Sequence, residues 1–120
     1  MKIRVAVGQF HDLAGRSFAL ARVTCLIDGR TVYSGPGGKS LQLFQDTLAP
    51  GSHTVTVLAD YRIKSAGPFS YAKGFRFKVL SGRRFSVESG QPVRVSVVGY
   101  ERGGPTRPFD ERLALVISAG

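Results

Sequence analysis

Leu48-Ala49-Pro50-Gly51-Ser52-His53-Thr54-Val55-Thr56-Val57-Leu58-Ala59-Asp60-Tyr61-Arg62 reads as a turn followed by a strand. Proline presets φ for a turn and glycine accepts φ > 0. After them Val55, Val57, Ala59 and Tyr61 fall on one face, and Thr54, Thr56, Asp60 and Arg62 on the other. That period of two is the pattern of a strand with one face in the core.

The same grammar extends in both directions. Upstream, Ile3, Val5 and Val7 alternate with Lys2, Arg4 and Ala6, and His11 to Ser17 reads as a connection. Ala19, Ala21, Val23, Cys25 and Ile27 then alternate with Leu20, Arg22, Thr24 and Leu26, apolar on both sides, as in a central strand. Asp28-Gly29 is the residue pair that a two-residue type I′ hairpin prefers. Taken as the loop, it pairs Ile27 with Arg30, Leu26 with Thr31 and Cys25 with Val32. Gly35 to Lys39 forms a loop, and Leu41, Leu43 and Phe44 mark a further strand or crossing.

Downstream, Lys64 to Lys73 is the longest polar and aromatic connection. Three strands are expected after it: Phe75, Phe77 and Val79; Phe85 and Val87 beyond a turn at Ser81-Gly82-Arg83; and Val93, Val95 and Val97 beyond Ser89 to Pro92. A long loop, Glu101 to Glu111, precedes a last strand at Leu113 to Ile117. Eight or nine strands at this spacing predict an all-β chain: a single antiparallel β-sandwich over residues 1–120, immunoglobulin-like or prealbumin-like, with little or no helix.

Composition sets the outer limits. A chain of 120 residues with 42% hydrophobic residues is one globular domain, and its longest apolar run is far short of a membrane-spanning helix. The N-terminus is basic and alternating, with no apolar stretch of an intact signal peptide. A periplasmic or cell-envelope location is expected if such a peptide has been removed, and a cytoplasmic one otherwise. Cys25 is the only cysteine, so no intrachain disulfide is available. Seventeen Lys and Arg against eight Asp and Glu give +9, which favours anionic partners.

The sharpest functional candidate is a basic sheet face. With the Phe and Val residues of the three later strands turned inward, Arg76, Lys78, Arg84 and Arg94 turn outward, extended by Lys73, Arg83 and Tyr71. Arginine suits bidentate contacts to phosphate or carboxylate. The competing reading is a solvated face that discourages edge pairing. A second set lies in loops, where Phe69, Tyr71, Arg107 and Phe109 offer contacts at strand ends or fold back over the core. Catalysis has little support. His11 and His53 are the only histidines, His53 reads as the start of a strand, and Cys25 reads as a buried thiol. No catalytic, metal or cofactor site is expected. Gly35 to Ser40 ends in Gly-Lys-Ser but lacks phosphate-loop spacing and a following helix.

Pro50-Gly51-Ser52-His53-Thr54-Val55-Thr56-Val57, Phe77-Lys78-Val79 and Gly90-Gln91-Pro92-Val93-Arg94-Val95-Ser96-Val97 resemble PEGA-type and transthyretin-like (prealbumin-like) bacterial β-sandwich modules. Tyr71-Ala72-Lys73-Gly74-Phe75-Arg76-Phe77 and Val98-Gly99-Tyr100-Glu101 are also similar to small envelope-associated domains of myxobacteria. Some such chains carry a dihydrolipoamide acyltransferase-like label, but neither the Asp-Lys-Ala lipoyl hairpin nor the acyltransferase His-x-x-x-Asp-Gly motif is present. The resemblance covers roughly residues 20–100 and implies a non-enzymatic module on the envelope side. The expected partner is a protein or an anionic polymer, such as a polysaccharide or lipid head groups, with self-association open. Two alternatives stand beside it: a nucleic-acid-binding β-barrel and a self-assembling shell or filament subunit. Against the barrel, Phe75, Phe77 and Phe85 share the core phase, whereas base-stacking sheets turn aromatics outward.

Overall fold

The computed structural model describes residues 4–14, 18–63, 76–88, 92–101 and 113–119. Its strands are β1 (Arg4–Leu13), β2 (Phe18–Ile27), β3 (Arg30–Pro36), β4 (Ser40–Leu48), β5 (Gly51–Ile63), β6 (Arg76–Val87), β7 (Val93–Glu101) and β8 (Leu113–Ala119). They form two four-stranded sheets, ordered β4-β1-β7-β8 (sheet A) and β3-β2-β5-β6 (sheet B). This is the all-β sandwich that the alternation predicts. The two sheets remain separate, so they form no closed barrel. Long strands make the molecule elongated, 58 × 24 × 21 Å.

Two features of the topology refine the expectation. All pairings are antiparallel except β1 with β7, which run parallel from Ala6↔Val93 to Leu13↔Tyr100. No hairpin can join parallel neighbours, and here the whole of β2 to β6 lies between them in the chain. An immunoglobulin constant domain puts its first and second strands in one sheet. In this chain they lie in opposite sheets, so its strand order differs from that of an immunoglobulin constant domain.

The β2–β3 hairpin turns on Asp28 and Gly29, with φ of 52° and 80°. Both central residues at positive φ is what a type I′ turn requires. Ile27 pairs with Arg30 and Leu26 with Thr31, as expected. A bulge then sets Tyr33, not Val32, opposite Cys25. A second bulge, in β4 opposite Gly8 and Gln9, lets the neighbours Leu43 and Phe44 both point inward. The Phe44 ring lies where a side chain at position 8 would stand, so only glycine fits there.

In β1 the expected phase is inverted. Ala6 and Phe10 are fully buried, while Val7 is only half-buried. The strand runs on to Leu13, through residues read as a connection, and Phe10 sets its inward face. The turn expected at Ser81-Gly82-Arg83 is absent, because these residues pair continuously with Val57, Thr56 and Val55. Phe77, Val79, Phe85 and Val87 all occupy odd positions, so one uninterrupted strand keeps every one of them on the inner side.

The core joins both sheets. Val55, Val57, Ala59, Tyr61 and Ile63 of β5 are fully buried against Phe10, Leu43, Val95 and Val97 of sheet A. Tyr61 is the largest fully buried side chain. Its hydroxyl donates to Asp12 Oδ1 at 3.1 Å, and the Ala14 N–H donates to the same oxygen at 3.1 Å. Burial, with Asp12 alongside, pushes the phenol pKa up and keeps it a neutral donor. The Tyr61 hydroxyl fills the position of a side chain at residue 99, which is why glycine stands there.

Candidate functional site

His53 is where sequence chemistry first suggests reactivity, and its surroundings use it up. Gly51, at φ 127°, swings the chain into β5 and sets His53 beside the β2–β3 turn. Nδ1 donates to Asp28 Oδ2 at 2.6 Å, and Nε2 donates to the Ala49 carbonyl at 2.7 Å. A neutral imidazole can donate only once, so the imidazolium alone satisfies both acceptors. The Ala49 carbonyl and then the Asp28 carboxylate raise the His53 pKa. The Asp28 pKa is lowered by His53 and by the Thr54 N–H, which donates to Oδ1 at 2.9 Å. The ring also tilts against Phe85, with centroids 5.8 Å apart. With both nitrogens engaged, His53 ties two connections together and has no free position for proton transfer. Cys25 is likewise withdrawn: burial pushes its thiol up to about 12. Among the described residues no group of three His, Cys, Asp or Glu could hold a metal ion.

The charge has a more definite placement. Outward residues of sheet B line up in rows across β2, β5 and β6. Arg62 stands directly opposite Arg76; Asp60 stands between Arg22 and Lys78; Leu58 stands between Thr24 and Leu80; Thr54 stands opposite Arg84. Strands lie about 4.8 Å apart and residues two apart on one strand about 6.7 Å. Arg22, Arg62, Arg76 and Lys78 therefore ring one carboxylate within two adjoining rows. The outer face of sheet A contrasts with this. Its rows carry Gln45, Val7 and Arg94, then Gln42, Gln9, Ser96 and Ser118, so Arg94 is its single arginine among the residues with described side chains.

Within the cluster the charges are poorly compensated. Among the described residues, the His53–Asp28 contact is the only ion pair. Arg22 donates instead to Ser34 Oγ at 2.8 Å. Asp60 Oδ1 is buried without a hydrogen-bond partner. The Arg62–Arg76 pair sets two cations directly across from each other, an arrangement that costs stability.

The expected basic face is thus redistributed. Arg76, Lys78 and Arg84 are exposed on the outer side of β6, as expected. Arg94 is exposed too, but on the opposite side of the sandwich, because β7 belongs to sheet A. Arg83 falls in the inward phase at the edge of β6, and its Nη1 donates to the Ile117 carbonyl on β8 at 3.2 Å. Arg84, six residues from Lys78, lies roughly 20 Å from it along the strand. Lys73, Phe69, Tyr71, Arg107 and Phe109 lie outside the described residues. In the sequence Arg22 and Arg62 fall on the faces opposite Val23 and Tyr61, but only the β2-β5-β6 order brings them beside Arg76 and Lys78.

An open groove of about 420 Å³ lies at the far end of β6, lined by Arg83, Arg84, Phe85, Ser86, Glu88, Pro92, Val93 and Ala119. Glu88 offsets one of its two arginines, and Arg83 is already committed to Ile117. The stronger unbalanced charge is on the sheet face. No known protein family, curated protein or solved structure matches the chain.

Proposed function

We propose that this domain is a non-enzymatic binding module that presents the outer face of sheet B, through Arg22, Arg62, Arg76 and Lys78, to an anionic partner. The Arg62–Arg76 cross-strand pair is the observation that carries the reading. Side-by-side cations, neither held in an ion pair among the described residues, cost stability in the free protein and gain an ion pair each when an anion is bound. The solvated-face alternative accounts for exposed charge but not for placing like charges opposite one another. The non-enzymatic part rests on the engagement of both His53 nitrogens and the burial of Cys25.

The placement of the first two strands in opposite sheets supports the prealbumin-like reading over the immunoglobulin-like one. The resemblance to envelope-associated modules supports an envelope setting.

A comparison of two faces tests the reading. Arg62→Glu and Arg94→Glu change net charge equally, on opposite sides of the sandwich. Retention on a sulfated polysaccharide at low salt is expected to fall steeply for Arg62→Glu, and further for Arg62→Glu/Arg76→Glu, and to change little for Arg94→Glu. Equal losses for Arg62→Glu and Arg94→Glu would reduce the effect to net charge alone and sink the proposal.

A further inference from the structure

Resting on that reading, we infer that the anionic partner of sheet B is a lipid bilayer surface bearing acidic head groups, with Leu80 entering the interfacial layer beside the cations. The sequence alone leaves the class of anion open, and the row next to the cluster narrows it. Leu80 is 68% exposed on the edge strand β6 and pairs directly with Leu58. Lys78 and Asp60 occupy the adjoining row and Arg62 and Arg76 the one beyond. A single exposed leucine is ordinary; one that extends a leucine row beside four clustered cations is a basic amphipathic surface. Such surfaces combine apolar burial at the head-group boundary with attraction to acidic lipids. Long Arg and Lys stems let their charged ends reach phosphates while leucine sits deeper.

Among the described residues this face lacks what single-stranded nucleic acid uses. Its paired rows on β2, β5 and β6 contain Arg, Lys, Leu, Thr, Ser, Ala, Asp and Gly but no aromatic ring. Single-stranded nucleic acid is held by stacking of bases on aromatic side chains. Phe77, the nearest ring along β6, falls in the inward phase and pairs with buried Tyr61. A sulfated polysaccharide or a nucleic acid would draw on the cations and gain nothing from Leu80. A bilayer uses both.

The test is flotation of the full chain with vesicles of phosphatidylcholine alone and of phosphatidylcholine mixed with phosphatidylglycerol. A sulfated polysaccharide and a single-stranded oligonucleotide serve as bilayer-free anions. The chain is expected to float with the acidic vesicles, stay behind with the neutral ones, and be released at high salt. Leu80→Ser should weaken acidic-vesicle binding about tenfold, the equivalent of partly burying one leucine, and leave binding to the two soluble polyanions unchanged. Arg62→Glu/Arg76→Glu should weaken every interaction, by about a hundredfold or more for vesicles. Asp60→Asn, which removes the only described acid on this face, should tighten them. Circular dichroism of each variant confirms that it is folded; all four positions lie on the outer face.

Unchanged vesicle affinity in folded Leu80→Ser, or equal binding to neutral and acidic vesicles, would overturn the lipid assignment. Binding to the polyanions without binding to acidic vesicles would also overturn it, while leaving the anion-binding reading in place. Failure to bind any of these anions at low salt would overturn both.

Discussion

The imidazole of His53 donates to a carboxylate on one side and a backbone carbonyl on the other, and this fixes how its contribution to stability depends on pH. Its pKa is raised in the folded state. The stabilisation is therefore complete below the ordinary histidine value of 6.5 and is lost as pH rises through the folded-state value. The pKa of Asp28 is lowered from 3.8, so its share is present above that value and is lost as pH falls through the folded-state one. The tie between the two connections is complete only between those limits. Urea midpoints should accordingly fall as pH is raised from about 6 to about 9, and His53→Gln should flatten that dependence. A midpoint that is level across this range in the native chain would show that His53 is not held as the imidazolium. The pH effect belongs to stability and not to the anion-binding cluster, which lies at the other end of β5.

At the scale of single elements, β5 and β6 bear the trade between folding and binding. Replacing Arg62 by Glu turns a like-charge cross-strand pair into an opposite-charge one. Arg62→Glu is expected to stabilise the fold by about 0.5–1 kcal/mol, read as a higher urea midpoint with unchanged slope, while weakening retention on polyanions. A variant both less stable and unimpaired in binding would remove the functional reading of the pair. These strands also show what the sequence discloses and what it withholds. The alternation in Val55 to Tyr61 predicts a buried face, and every member of it is buried. Asp28-Gly29 predicts the hairpin turn correctly. The bulge opposite Cys25 is not legible, because an extra residue depends on how two strands twist together and not on either strand alone. The valines of β1 outweigh Ala6 in hydrophobicity and so hide its phase, although Ala6, in phase with Phe10, is the residue inside. Ser81-Gly82 imitates a turn, yet the odd-numbered phase on both sides of it was the signal for one strand. Arg22 and Arg62 join the cluster through strand order, which alternation cannot give.

For the molecule as a whole, the division of strands between sheets separates charged from uncharged surface: most of the described outward cations gather on one broad face, and glutamine, serine and valine on the other. It also separates near from distant partners in the chain. Sheet B is built from antiparallel pairings, with β2 joined to β3 by a two-residue turn and β5 paired with β6, its successor in the chain. Sheet A needs its first strand to meet its seventh. Contacts between residues far apart in sequence form late, because the chain loses loop entropy before the contact stabilises anything. Pulsed amide exchange during refolding should protect β2, β3, β5 and β6 before β1 and β7; simultaneous protection, or protection of β1 first, would contradict this order.

The parallel β1–β7 pairing has a consequence for synthesis. During translation β1 is made before its parallel partner β7, so the edge of β1 that β7 covers stays unsatisfied while the five strands between them are made. Over that interval β4 is the neighbour in the finished sheet that becomes available first. Even once β4 has been made, that edge of β1 stays open until β7 arrives to complete sheet A.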